Sequence, residues 1–408
     1  MIKINKKEDC CGCSACAQRC PKQCITMQAD GEGFLYPIVD IGNCIDCGLC
    51  EKVCPVINQS EPNKPLKVYA AMNKDEEVRL ASSSGGIFTL LAEATILKGG
   101  VVFGVRFNEQ WMPVFDYTET IEGIAPFRGS KYVQATVGNA YKQAEGFLKA
   151  GREVLFSGTP CQVAGLKKFL RKEYDNLFTV DIICHGVPSP KVWSKYLDET
   201  CSKLLMHSPD GKNSVRSAKG GDVRTCIETV SFRSKSSGWK KYSFLLKLNF
   251  STCDEKNTVV FSEELGKNDY MRAFLSDTIL RPSCYSCPAK EGKSHSDVTI
   301  ADFWGINNIN PEFDDDKGCG AVLINTTKGE ELYKRTYKDI LQINSSFSNI
   351  VKYNKAYSCS SKRPIKRDVF FRVYTNKGIH YAVKKVTHIS LIKRILNKLL
   401  HIIKTWNH

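Results

Sequence analysis

No run of about 18 apolar residues occurs in this 408-residue chain, so no helix of it is expected to span a bilayer. The amino end, MIKINKKEDCCGC, lacks the apolar core of a secretory signal, and a cytoplasmic location is the expectation that follows. Histidine is scarce: there are seven, and none falls between Cys10 and Cys54, where ten of the nineteen cysteines sit. That shortage argues against mixed cysteine–histidine zinc sites. A disulfide framework is also disfavoured, because dense Cys-x-x-Cys spacing in a large chain without a leader reads as metal ligation. Acidic residues are nearly missing from 362–408, which holds twelve Lys and Arg against Asp368 alone. Of the net charge of +15, the remaining residues therefore carry only +4, and the basic balance belongs to the tail.

The cysteines form a repeated pattern. Cys10-x-x-Cys13-x-x-Cys16-x-x-x-Cys20-Pro21 is followed by Cys44-x-x-Cys47-x-x-Cys50-x-x-x-Cys54-Pro55. Three thiolates on a tight loop cap three corners of a cubane, and the fourth, before proline, serves the other cluster. This predicts one 4Fe-4S cluster on Cys10, Cys13, Cys16 and Cys54, and another on Cys20, Cys44, Cys47 and Cys50. Paired zinc knuckles would show a longer separation or histidine, and would not end twice in Cys-Pro. Cys11 and Cys24 fall outside the pattern and read as small buried residues near the clusters.

Four later cysteines stand in suggestive settings: Cys161 in SGTPCQVAGL, Cys184 in DIICHGVPS, and Cys284 and Cys287 in RPSCYSCPAK. On the residues alone they are either a third ligand set or ordinary core cysteines. Cys201, Cys226, Cys253, Cys319 and Cys359 have no such context and read as structural. Ser82-Ser83-Ser84-Gly85-Gly86 precedes an apolar helical run, a place for a phosphate at free N–H groups or for a plain cap. Gly158 and Thr159 offer a similar strand-to-helix turn. His185 reads as structural, with a proton relay the alternative. Asp302, Phe303 and Trp304 read as a flavin wall or as a buried turn.

The expected organisation is a cysteine-rich module over 1–60, closed by NQSEPNKP, then body segments 65–150 and 151–345, then a tail, 346–408. Strands are expected at KVYAAM (67–72), VVFGVRF, PVFDYTE, VLFSGT and FTVDIIC, with a strand and turn in VTIADFWG and a final strand and helix in CGAVLINTTKGEELYKRTY. Helices are expected at IFTLLAEATILKGG, NAYKQAEGFLKAGR and the run after GTPCQ. Such alternation argues for an α/β domain with a mostly parallel sheet. SFRSKSSGWKKYSFLLKLNF and NTVVFSE read as a β-meander, and 207–222 as a mobile loop.

Taken in order, SSSGGIFT (82–89), GSKYVQ (129–134), SGTPCQVAGL (157–166), DIICHGVPSP (181–190), CYSCPAK (284–290) and SDVTIADFWG (296–305) resemble the beta subunits of coenzyme F420-reducing hydrogenase and formate dehydrogenase. The resemblance runs from about Lys67 to Leu323. It implies an FAD-binding α/β body that also holds a 4Fe-4S cluster; with the bacterial-type two-cluster ferredoxin module read from the cysteine motifs and a C-terminal helical tail that the shared motifs do not cover, the expected fold class is α+β and α/β. Carried over by position, the resemblance makes Ser84, Gly85, Gly86, Lys131, Thr159 and Gln162 flavin contacts. It also makes Cys161, Cys184, Cys284 and Cys287 the ligands of a third 4Fe-4S cluster. It further implies similar fused proteins in bacteria without the deazaflavin coenzyme, often beside surface-polysaccharide genes.

The expected function is an iron–sulfur flavoprotein oxidoreductase. Electrons would pass between a low-potential, ferredoxin-like partner, the clusters and FAD, with hydride transfer to or from an organic substrate. Two alternatives stand beside it: a non-catalytic electron-transfer subunit, and a membrane-recruited redox-sensing protein. The last rests on Ile392, Ile395, Leu396, Leu399 and Ile403, which share one helical face, with Lys393, Arg394, Lys398 and Lys404 mainly elsewhere and Trp406 near the end. That pattern fits a peripheral membrane helix or a helix docked on the body. Nucleic acid is not expected as a partner, since no recognition motif accompanies the basic tail.

Overall fold

The computed structural model describes residues 1–207, 222–251 and 256–387. Most of the 207–222 loop, Cys253 and the amphipathic pattern of 392–403 lie outside the described residues.

The first 60 residues carry strands β1 (Ile25–Ala29) and β2 (Leu35–Val39), paired antiparallel, and two short helices, Ala15–Arg19 and Leu49–Lys52. The doubled cysteine motif becomes a doubled backbone. Gly12 (φ 71°) and Ser14 (φ 62°) are left-handed in the first loop, and Asp46 (φ 48°) and Gly48 (φ 68°) in the second. Each pair stands at the same offsets from its first cysteine. Left-handed residues fold the loop back tightly, so three thiols of one stretch face a common point.

The body is built on eight strands in the order β13-β3-β12-β11-β7-β6-β4-β5. They are β3 (Lys67–Asn73), β4 (Val101–Phe107), β5 (Pro113–Thr118), β6 (Val154–Gly158), β7 (Leu177–Ile182), β11 (Val298–Asp302), β12 (Gly320–Ile324) and β13 (Ile340–Asn344). The two body segments expected on either side of residue 150 share this one sheet. The four central strands β4, β6, β7 and β11 run parallel, as their near-continuous apolar sequences require when both faces are covered. Alternation sorts them: Val101, Phe103, Val154 and Phe156 meet the helices Ala140–Lys149 and Pro160–Leu170, while Val102 and Leu155 meet Ile87–Ile96.

The expectation of a mostly parallel sheet is corrected. Four of its seven pairings, β4–β5, β11–β12, β12–β3 and β3–β13, are antiparallel. The β11–β12 connection carries only the short helical turns Ile306–Ile309 and Pro311–Phe313. It stays at one end of the sheet instead of crossing a face, so β12 returns antiparallel.

The expected meander forms a separate three-stranded sheet: β8 (Ile227–Ser234), β9 (Ser243–Ser251) and β10 (Lys256–Glu264). Its apolar face packs on the helices Pro190–Met206, Asp269–Leu275 and Arg367–Thr387. The last of these buries Phe370, Tyr374, Ile379, Ala382 and Val383, so the described part of the tail is docked on the body.

Candidate functional site

The cysteines assigned to the first cluster come together in the fold. Cys10, Cys54 and Cys16 are mutual neighbours, as are Cys13, Cys16 and Cys54. All four are buried. The amide of Gly12 donates to Cys10 Sγ at 3.4 Å, an N–H bond that a thiolate uses better than a thiol. Cys20, Cys44, Cys47 and Cys50 line a second hollow with Met1 and Ile45, and the amide of Ile2 donates to Cys50 Sγ at 3.2 Å. Cys47 is exposed and Cys44 half-buried, so this hollow reaches the surface. Cys24 also lines it, with its sulfur 3.4 Å from that of Cys20.

Cys161, Cys184, Cys284 and Cys287 arrive from three places: the first turn of the Pro160–Leu170 helix, the loop after β7, and the helical turn Pro282–Ser286 with its following residue. The structure brings all four together. Burial first, then Cys284, Cys161 and Cys287 as neighbours, push the Cys184 thiol far up, with Lys290 opposing. Burial and the neighbours Cys287 and Cys161 raise Cys284 to about 12, against a backbone N–H from Val187. By exposed area each of the four is half-buried; sulfurs crowded together in this way repel one another as thiolates, and a cationic iron–sulfur core is the group that relieves this. The donor sets therefore fit three cubanes. Among the described residues, no three Cys, His, Asp or Glu side chains converge on a single-ion site.

Beside the third set lies a cavity of about 580 Å³, within the range of ligand pockets. Its floor is the carboxyl ends of the parallel strands: Val105 on β4, Ser157 and Gly158 on β6, Ile182 on β7 and Asp302 on β11. That is where open α/β sheets bind ligands. Ser84, Gly85, Gly86, Lys131, Thr159 and Gln162 all line it, and so does Cys184. The Ser82–Gly86 turn is tightly held: Ser84 Oγ donates to Cys319 O at 2.7 Å, and the Ser130 amide donates to Ser83 Oγ at 2.7 Å. A Cβ on Gly85 would stand 2.3 Å from Ala71 O, so no other residue fits there. The N-terminus of the Ile87–Ile96 helix opens on the cavity behind it, a setting suited to phosphate.

Lys131 donates to Pro126 O at 2.8 Å and Arg128 O at 2.9 Å, and burial lowers its pKa to about 7. By area Lys131 is half-buried, and it lines the cavity. Thr159 and Gln162 bond to each other at 2.9 Å as a helix cap, so part of their polar capacity is structural. Of the aromatic turn, Asp302 and Trp304 line the cavity, whereas Phe303 is core. His185 also lines it, paired with Asp277.

Sequence reasoning missed Arg233. It holds Asp302 with both terminal nitrogens, at 2.7 and 3.0 Å, under Tyr242 and Trp304. Burial opposes its charge, but Asp302 outweighs burial and its pKa is raised. Lys235 was missed too. It donates to the carbonyls of Arg79, Ser84 and Lys317 and so pins the serine–glycine turn. The available signal was two cations spaced i, i+2 where the strand Ile227–Ser234 ends.

The amino-terminal module is clamped to the body by buried polar groups. Arg281, fully buried, donates to Cys10 O, Gln134 Oε1 and Leu35 O, each at 2.8 Å, and lies over Tyr36. Gln134 in turn donates to Cys11 O at 3.1 Å. Arg367 holds both carboxylate oxygens of Glu32, at 2.7 and 2.5 Å.

Comparison with known proteins agrees with this division. Residues 151–345 match the family described as coenzyme F420 hydrogenase/dehydrogenase, in the carboxy-terminal part of its beta subunit, and residues 9–58 match a 4Fe-4S dicluster domain. One subunit of the F420H2 dehydrogenase of Methanosarcina mazei is 26% identical over 176 residues, 40% of this chain and 49% of that protein. The chain thus spans about half the length of that relative. A 7Fe ferredoxin of Hydrogenibacillus schlegelii is 45% identical over 65 residues, 15% of this chain and 77% of the ferredoxin. Among solved structures, the F420-reducing NiFe hydrogenase complex of Methanosarcina barkeri contains a chain with a TM-score of 0.44 and 15% identity, covering 72% of this chain and 89% of that one.

Proposed function

Through residues 151–345 the chain belongs to the family of coenzyme F420 hydrogenase/dehydrogenase beta subunits, with a 4Fe-4S dicluster domain ahead of it, and on that premise we propose that it is an iron–sulfur flavoprotein oxidoreductase. Electrons pass singly between a low-potential, ferredoxin-like protein and the cysteine-held clusters. They leave in pairs, two electrons with one proton as a hydride, to an organic substrate in the cavity; the direction is reversible in principle. The observation that carries this reading is Cys184, which belongs to the third thiol set and also lines the cavity. One residue thus joins a one-electron site to a pocket sized for an organic cofactor and its substrate.

FAD is the cofactor proposed for that pocket, and when bound it supplies the exchange between one- and two-electron chemistry. Ser84, Gly85 and Gly86 at the helix start suit its phosphates, with Lys131 beside them, and Thr159 and Gln162 close the turn next to Cys161. Trp304 and Tyr242, packed on Arg233, give that end of the cavity an aromatic wall that excludes water. A link to surface-polysaccharide metabolism rests on the family resemblance alone.

The match to one component of a dehydrogenase favours a second reading, in which the chain only relays electrons within a complex. Anaerobic purification with iron, sulfide and flavin quantified together, followed by reduction with reduced ferredoxin, tests both. About twelve iron and one flavin per chain support the oxidoreductase. About twelve iron with no flavin supports the relay. Zinc in place of iron would sink both.

A further inference from the structure

Cys11 follows Cys10 directly, yet it is buried in the body's apolar cluster together with Cys13, and Cys161 packs against that same cluster. Cys13 and Cys161 belong to the first and the third sets. A second observation brings the same two sets together. On the helix that Cys161 opens, a Cβ at Gly165 would lie 2.9 Å from Cys13 Cβ and 3.1 Å from Cys13 Sγ. The first cysteine loop therefore packs on that helix at a spot where only glycine leaves room. A third is Arg281, which binds the Cys10 carbonyl three residues before Cys284 in its own chain segment. The second set lies on the side of the module that reaches the surface, and its Cys47 is exposed.

We propose that electrons cross between the first and third thiol sets through the apolar packing that Cys11 and Cys161 share, with Cys11 a positioning residue and not a cluster ligand. The path then runs from the surface-facing second set to the first, to the third, and on to the cavity at Cys184. A redox protein exchanges electrons at the second set. Electron tunnelling falls steeply with separation and is favoured by packed matter over gaps, so a buried side chain filling the contact matters more than one at the rim. Each cubane has its four thiolates without Cys11, which is why the residue is free for this role. The proposal rests on the reading that the three sets hold 4Fe-4S clusters.

The test uses the full chain, prepared anaerobically, as Cys11→Ala, Cys11→Ser and the parent. Iron per chain is measured, and freeze-quench electron paramagnetic resonance follows arrival of electrons at the third cluster after mixing with reduced ferredoxin. The expected result is about twelve iron in all three forms. Transfer to the third cluster slows severalfold in the alanine variant, and the serine variant falls between. Gly165→Val, which wedges Cys13 off the helix, slows the same step and weakens the magnetic interaction between the two clusters. Loss of about four iron in the alanine variant makes Cys11 a ligand and overturns the proposal. Full iron with an unchanged rate in that variant also overturns it, while leaving the oxidoreductase reading intact. A parent with only about eight iron overturns both.

Discussion

Arg281→Met isolates the physical basis on which the redox module is seated. The guanidinium is fully buried and makes three bonds of 2.8 Å, to Cys10 O, Leu35 O and Gln134 Oε1. Methionine keeps most of the stem's apolar packing over Tyr36 but removes every donor. Hydrogen bonds from a charged group contribute about 1.5–3 kcal/mol each, and a buried carbonyl left alone costs about 1–3 kcal/mol. Partial relaxation holds the sum below its additive limit, so a loss of about 4 kcal/mol is expected, at the upper end for single substitutions. With a urea slope of about 2 kcal/mol per molar, the midpoint falls by about 2 M. Arg281→Lys recovers only part of the loss, because one ammonium does not reach three divergent acceptors. Anaerobic urea titration followed by iron–sulfur absorbance and by far-ultraviolet dichroism measures this, with the iron signal lost first because the Cys10 carbonyl is released. A methionine variant within about 1 kcal/mol of the parent, with unaltered iron, would refute the reasoning.

Cys184→Ser is expected to remove about four of twelve iron while the secondary structure persists; retention of all twelve excludes Cys184 as a ligand. Lys131 is charged below about 7 and neutral above it, whereas an unfolded lysine keeps its proton to a much higher pH. The unfolded chain therefore binds more protons above about 7, so this group's destabilising effect is complete at acid pH and fades as the pH rises from there. Lys131→Met should accordingly stabilise the apoprotein most at pH 6 and least near pH 10, as melting curves will show. Flavin retention should weaken as the pH rises through about 7 in the parent and lose that dependence in the variant, measured by fluorescence after gel filtration. Arg233→Met leaves the half-buried Asp302 carboxylate with the Trp239 indole N–H at 3.0 Å as its remaining donor, and a loss of about 1–3 kcal/mol is expected. The double variant with Asp302→Leu recovers most of it, and a double no better than the single in thermal melts removes the pair from the account.

The parts legible in the sequence were those with local causes. The doubled cysteine motif with its Cys-Pro endings specifies two tight loops, and left-handed Gly12, Ser14, Asp46 and Gly48 are its direct backbone expression. The apolar strands β4, β6 and β7, alternating with amphipathic helices, were readable for the same reason. The direction of β12 was not, because it depends on where a connection runs and not on its composition. Arg233 was passed over because its partner Asp302 is 69 residues away, and Arg281 because its acceptors are in another module.

By itself, the order of residues determined the chemistry available: thiols at iron-binding spacing, a small-residue turn before a helix, and a mixed strand and helix pattern. Only the tertiary structure decided which groups meet. Cys161, Cys184 and Cys284 lie in separate segments, and the sheet and its loops bring their sulfurs together beside the cavity. Ligand spacing is written along a few residues, whereas proximity between distant segments is set by strand order and burial. The first is therefore read from the chain, and the second only from the fold.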